Sequence, residues 1–62
     1  SQLESRKLVD RAKGILMKTR GLSESDAYAL LRKAAMNQNR KISEIAESLI
    51  TAAGLLAPPE DQ

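Results

Sequence analysis

The chain has 62 residues, no cysteine, no histidine and a net charge of +2. At this length only one small domain fits, and it buries about 60% of its unfolded surface. Without thiols or imidazoles there is no disulfide, no zinc site and no histidine acid–base chemistry, a composition compatible with a reducing cytoplasm.

No apolar run approaches the roughly 18–20 residues of a membrane span. The polar start carries no apolar signal region. Ser1-Gln2-Leu3, with no initiator methionine, reads as the middle of a protein. A domain from a longer chain is therefore expected.

Helical periodicity covers nearly the whole sequence, and no alternation long enough for a strand occurs. The first helix is expected from Leu3 to Arg20. Gly21 is placed to end it in the left-handed conformation, and Lys18 and Arg20 suit the negative end of the helix dipole. Its buried stripe is Leu8, Ala12, Ile15, Leu16 and Thr19. Lys13, Gly14 and Met17 fall on the opposite half, with Arg6 and Asp10 one and two turns back. A mid-helix glycine costs about 0.5–1 kcal/mol relative to alanine, and an outward methionine gains little from burial. Neither helps a domain that only has to fold.

The second helix begins at Ser23, an N-cap followed by acids, close to a capping box with Asp26 in place of Glu or Gln. Ala27, Leu30, Leu31, Ala34 and Ala35 form its expected stripe. Met36 points the other way, with Ser25, Ala29 and Arg32 on its side. Asn37-Gln38-Asn39 ends it. The third helix carries Ile42, Ile45, Ala46, Leu49, Ile50 and Ala53 in register. Asn39 or Ser43 can cap it, the earlier start keeping Ile42 in phase. Gly54 is expected to end it, with Leu55-Leu56 folded back on the core. Short connections make successive helices neighbours. The expected fold is all-α, a three-helix bundle over 1–57, with a disordered polar tail at 58–62.

Catalysis has little to work with. Gly14 and Gly21 form no phosphate loop. The serines lack a base, and Glu44 and Glu47 read as solvated charge, so no enzyme site and no cofactor is expected. The first third is basic instead. Arg6, Lys7, Arg11, Lys13, Lys18 and Arg20 stand against Glu4 and Asp10, a pattern suited to an anionic partner or simply to a solvated surface. Arg6 and Asp10 are spaced for a surface pair. Lys13 and Arg20 have no evident acidic neighbour at i±4 on the first helix, which leaves them for phosphate. Gly14 allows close approach of a base or another backbone, and Met17 and Met36 offer adaptable apolar contact. Arg32, Arg40 and Lys41 add charge around them. Tyr28 sits at the edge of its stripe and either packs or stacks on a base. Gly14 and Met17 facing a neighbouring helix is the competing reading.

A DNA-reading third helix is disfavoured. Lys41-Ile42-Ser43-Glu44-Ile45-Ala46 resembles the opening of such a helix, but Glu47 to Ala53 contains no Arg or Lys.

Arg11-Ala12-Lys13-Gly14-Ile15-Leu16-Met17, Gly21-Leu22-Ser23-Glu24, Asp26-Ala27-Tyr28, Leu31-Arg32, Ala35-Met36 and Ile45-Ala46 together resemble the ANTAR domain. This is the RNA-binding output module of bacterial transcription antitermination regulators. The likeness runs from Leu8 to Ile50, and within the family it is nearest to the nitrate/nitrite-assimilation regulators. It implies a cytoplasmic three-helix module, C-terminal to a phosphoacceptor receiver domain in a two-component response regulator. It implies a homodimer that binds paired stem-loops in nascent leader mRNA and keeps a terminator hairpin from forming. The phosphoacceptor aspartate then lies outside this chain. On this reading Lys13 and Arg11 meet phosphate or a loop base, with Gly14, Met17, Met36, Arg6, Arg32, Arg40 and Lys41 around them. A helical protein-interaction or dimerisation module with no nucleic-acid binding of its own is the alternative.

Overall fold

The computed structural model describes residues 2–56 as three helices in contact with one another: α1 Gln2–Arg20, α2 Glu24–Gln38 and α3 Ile42–Leu56. The boundary expected at 57 and the tail 58–62 lie outside the described residues. No helix among the described residues is long and apolar enough to cross a membrane.

The turns follow from local chemistry. Gly21 takes φ +66°, and its N–H donates to the Met17 carbonyl at 3.1 Å. Ser23 is the N-cap of α2, its Oγ accepting from the Asp26 N–H at 3.1 Å. Asn39 closes α2 in the left-handed conformation (φ 56°, ψ 45°). Its N–H reaches Met36, and the next N–H, of Arg40, reaches the Ala35 carbonyl at 2.9 Å.

Asn39 therefore does not cap the third helix, and neither does Ser43. The Lys41 carbonyl accepts the first helical bonds of α3, from the N–H groups of Glu44 and Ile45. The Glu44 carboxylate reaches back to the Lys41 N–H at 3.3 Å, half a capping box without its serine. Gly54 does not end the helix, since α3 runs on through Leu56. A glycine is tolerated inside a helix at a modest cost. Any packing of the Leu55 and Leu56 side chains lies outside what is described.

The core is small. Ala12, Leu16, Ala27, Leu31, Ala35, Ile45 and Ala46 are buried, and Ala12, Ala27 and Ala46 have no exposed surface. Each helix thus brings a fully buried alanine to one cluster, and small side chains at a contact permit close helix packing. Leu8, Val9, Leu22, Ala34, Ile42, Leu49 and Ile50 pack around it. Four expected core positions differ, Ala53 among them, which is half-buried and not part of the packed cluster. Thr19 is exposed, and its hydroxyl donates to the Ile15 carbonyl at 2.7 Å. Ile15 is only half-buried, because it lies some 60° off the Ala12 direction on the flank opposite Val9. Leu30 is exposed at the rim of its stripe, beside Leu22 in a shallow groove.

Nothing lies within 4 Å of a β-carbon built on Gly21, so its glycine requirement is purely one of backbone conformation. Gly21→Ala is expected to lower stability by about 1–2 kcal/mol, read by urea unfolding. An unchanged midpoint would show that the turn does not depend on the left-handed residue.

Candidate nucleic-acid interface

Lys13 lies about 100° round α1 from buried Ala12, on the shoulder that faces α2. Its ammonium stands 3.0 Å from Glu24 Oε2 and 3.3 Å from Asp10 Oδ1. It also sits over the Tyr28 ring, 5.9 Å from the centroid. Only 16% of the lysine side chain is accessible, whereas the two carboxylates are largely open to water. Asp10 is one turn back on α1. Glu24 opens α2, where the positive end of the helix dipole favours an acid. The hydrogen bond to Glu24 raises the Lys13 pKa above its ordinary value, against a smaller opposing effect of desolvation. Asp10 adds to the rise.

Lys13 is therefore not the free cation its i±4 neighbours imply. One acid is at i−3, and the other lies across the turn 21–23. Asp10 is drawn to Lys13 and makes no pair with Arg6. Glu24 and Tyr28, read in sequence as parts of a cap and a stripe edge, are the residues this corner adds. The Ser23 cap was the available signal, because a turn that short folds Glu24 back onto the last turns of α1.

The other expected residues divide by position. Gly14 is the outermost residue of this stretch of α1, and a β-carbon added there would meet nothing within 4 Å. It does not face a neighbouring helix of its own chain. Met17 is 41% exposed and flanks it on the Lys13 side. Arg6 is exposed along the same row. On α2, Glu24, Tyr28, Arg32 and Met36 recur at four-residue steps. Each step drifts about 40°, so the row turns from the α1-facing shoulder to open surface, where Met36 is 66% exposed. The Lys13–Tyr28 contact joins the two rows into one surface. Arg6 and Arg32 carry no ion pair within the described residues.

Arg11 stands apart from this surface. Two residues from Lys13, it points about 200° away, toward the opposite shoulder of α1. Arg40 and Lys41 lie at the turn into α3. Arg40 Nε is 3.4 Å from Glu44 Oε1, so its charge is partly matched, while the Lys41 ammonium makes no ion pair within the described residues.

The ANTAR domain family profile matches residues 1–50. The nitrate regulatory protein of Klebsiella oxytoca is 45% identical over 53 residues, 86% of this chain and 13% of that protein. The transcriptional regulatory protein PdtaR of Mycobacterium tuberculosis is 40% identical over 53 residues, 86% of this chain and 26% of that protein. The chain thus spans about a quarter or less of the length of these relatives. No solved structure matches.

The Lys13 ammonium is expected to titrate above the ordinary 10.5 of a lysine, and Glu24→Gln is expected to bring the midpoint down. A folded-state pKa above the unfolded one means that the contribution to stability is complete below pH 10.5 and fades as pH rises through the raised pKa. Side-chain nitrogen NMR of Lys13 reads the midpoint directly. A value at or below 10.5 in the unmodified chain would remove the Glu24 bond from the account.

Proposed function

The chain belongs to the ANTAR domain family, and from that premise we propose that it is the RNA-binding module of a bacterial antitermination regulator. Its working surface is the open side of α1 and α2. The reading rests above all on Gly14. A glycine in the middle of a 19-residue helix weakens that helix, and here no neighbouring group among the described residues requires it. The bare backbone suits close approach by something outside the fold.

The surroundings favour RNA as that partner. RNA loops splay their bases, and proteins take them by stacking, by edge contacts and by neutralising phosphate. Met17 and Met36 supply soft apolar contact, and Tyr28 supplies a half-exposed ring. Arg6 and Arg32 supply unmatched charge beside them. Arg11, Arg40 and Lys41 extend positive charge round the flanks and to the α2–α3 turn, reached by a strand leaving the loop. One module meets one stem-loop, so paired stem-loops in a leader mRNA call for two copies, a homodimer. The whole protein then acts in the cytoplasm with a receiver domain ahead of this module, which ends near residue 57 with 58–62 as a tail beyond it. The shares of 13% and 26% in the longer relatives support a module joined to further domains. Occupied stem-loops would hold the leader away from its terminator hairpin.

A protein-interaction module is the second reading, favoured by the same exposed Met17 and Met36. Gly14→Ala separates the two. In either case the substitution is expected to stabilise the helix by about 0.5–1 kcal/mol, so lost function cannot be laid to unfolding. On the RNA reading, affinity for a hairpin with a randomised loop falls while sedimentation is unchanged. Unimpaired hairpin binding with altered self-association would transfer the surface to the second reading.

A further inference from the structure

We propose that Asp10 and Glu24 are specificity-determining residues of this surface: they hold the Lys13 ammonium away from phosphate, so that the α1–α2 corner admits an unpaired base edge and rejects bare backbone. The inference rests on the RNA reading above and deepens it.

The geometry supplies the reason. Lys13 is held from two helices, by Asp10 on α1 at 3.3 Å and by Glu24 on α2 at 3.0 Å. Two of the three ammonium N–H donors are already directed to carboxylates, so a phosphate must either displace one of them or take the third donor against both negative charges. The corner as a whole carries one ammonium and two carboxylates, a net single negative charge that repels any phosphate nearby. Arg6 and Arg32, with no ion pair within the described residues, offer phosphate the same attraction at no such cost. The polynucleotide backbone is thereby steered to the arginines.

A neutral base edge meets the opposite situation. It faces carboxylate acceptors that are mostly open to water and a lysine donor fixed between them. Amino and imino groups of an unpaired base can donate to those carboxylates without breaking the Lys13 pairs. Tyr28 is 42% exposed, and the part of its ring that the ammonium does not cover gives the base a surface to lie against. A carboxylate, useless for binding backbone, here makes binding selective. Selectivity of this kind comes as much from what is refused as from what is bound.

The test compares two probes, a hairpin selected from a randomised-loop pool on the unmodified protein and oligo(U) of the same length. In Asp10→Asn/Glu24→Gln, the freed ammonium is expected to capture a phosphate. Oligo(U) affinity then rises about tenfold, within the range of a hydrogen bond to a charged group. Its salt slope steepens by about 0.7, the share of one single-strand phosphate, and the preference for the selected hairpin shrinks. Adding Lys13→Met to the double variant should abolish the gain. A gain that survives without Lys13 reflects general loss of negative charge and overturns the proposal, as does no gain at all. Glu24→Gln alone, on an exposed side chain, gives part of the same effect if the double variant is poorly folded. If the unmodified protein retains neither probe at low salt, the RNA reading itself falls. If it retains the hairpin and the variants behave like it, only this inference does.

Discussion

Close contact between helices over alanine is the constraint from which the rest follows. Ala12, Ala27 and Ala46 have no exposed surface, and together with Ala35 they leave Leu16, Leu31 and Ile45 as the larger buried side chains among the described residues. The arc of each helix covered by its neighbours is narrow, and the methionine and tyrosine positions fall outside it. Met17, Tyr28, Leu30 and Met36 therefore keep 40% or more of their surface in solvent. A fold stabilised by so few buried side chains is marginal on its own, which makes added burial from a partner or a neighbouring domain energetically useful.

The same closeness sets the electrostatics. With α2 folded back after a turn of three residues, the Lys13 side chain spans the gap and its ammonium meets Glu24 and Tyr28. The basic residues thereby divide into two kinds. Arg6 and Arg32 carry no ion pair among the described residues, whereas Lys13 is engaged and Arg40 is partly matched. Counting cations along the sequence overstates the charge available to an anion, because a cation already paired in the fold releases fewer counterions on binding.

Local features were legible wherever the determining groups are neighbours in the chain. Ser23 capping α2, Gly21 in the left-handed region, and the outward placement of Gly14, Met17 and Met36 each depend on spacings of four residues or fewer. Reading failed where two local rules compete or where a residue sits at the margin of a stripe. Asn39 suits the end of one helix as well as the start of the next, and its side chain tolerates the left-handed conformation that ends α2. Thr19, Ile15 and Leu30 carry the right period, but the arcs that the neighbouring helices cover are narrower than the period alone implies.

The sequence by itself determined that the described residues form three helices, where the turn between the first two falls, which face of each helix is apolar and which family the chain belongs to. These depend on propensity, capping and periodicity, interactions that reach no further than one helical turn. Only the tertiary structure decided that Lys13 is held by Glu24 over Tyr28 and that no other described residue comes against Gly14. Those facts depend on how closely α1 and α2 pack and at what rotation about their axes. Contacts between residues distant in the chain set these quantities, and no local pattern encodes them.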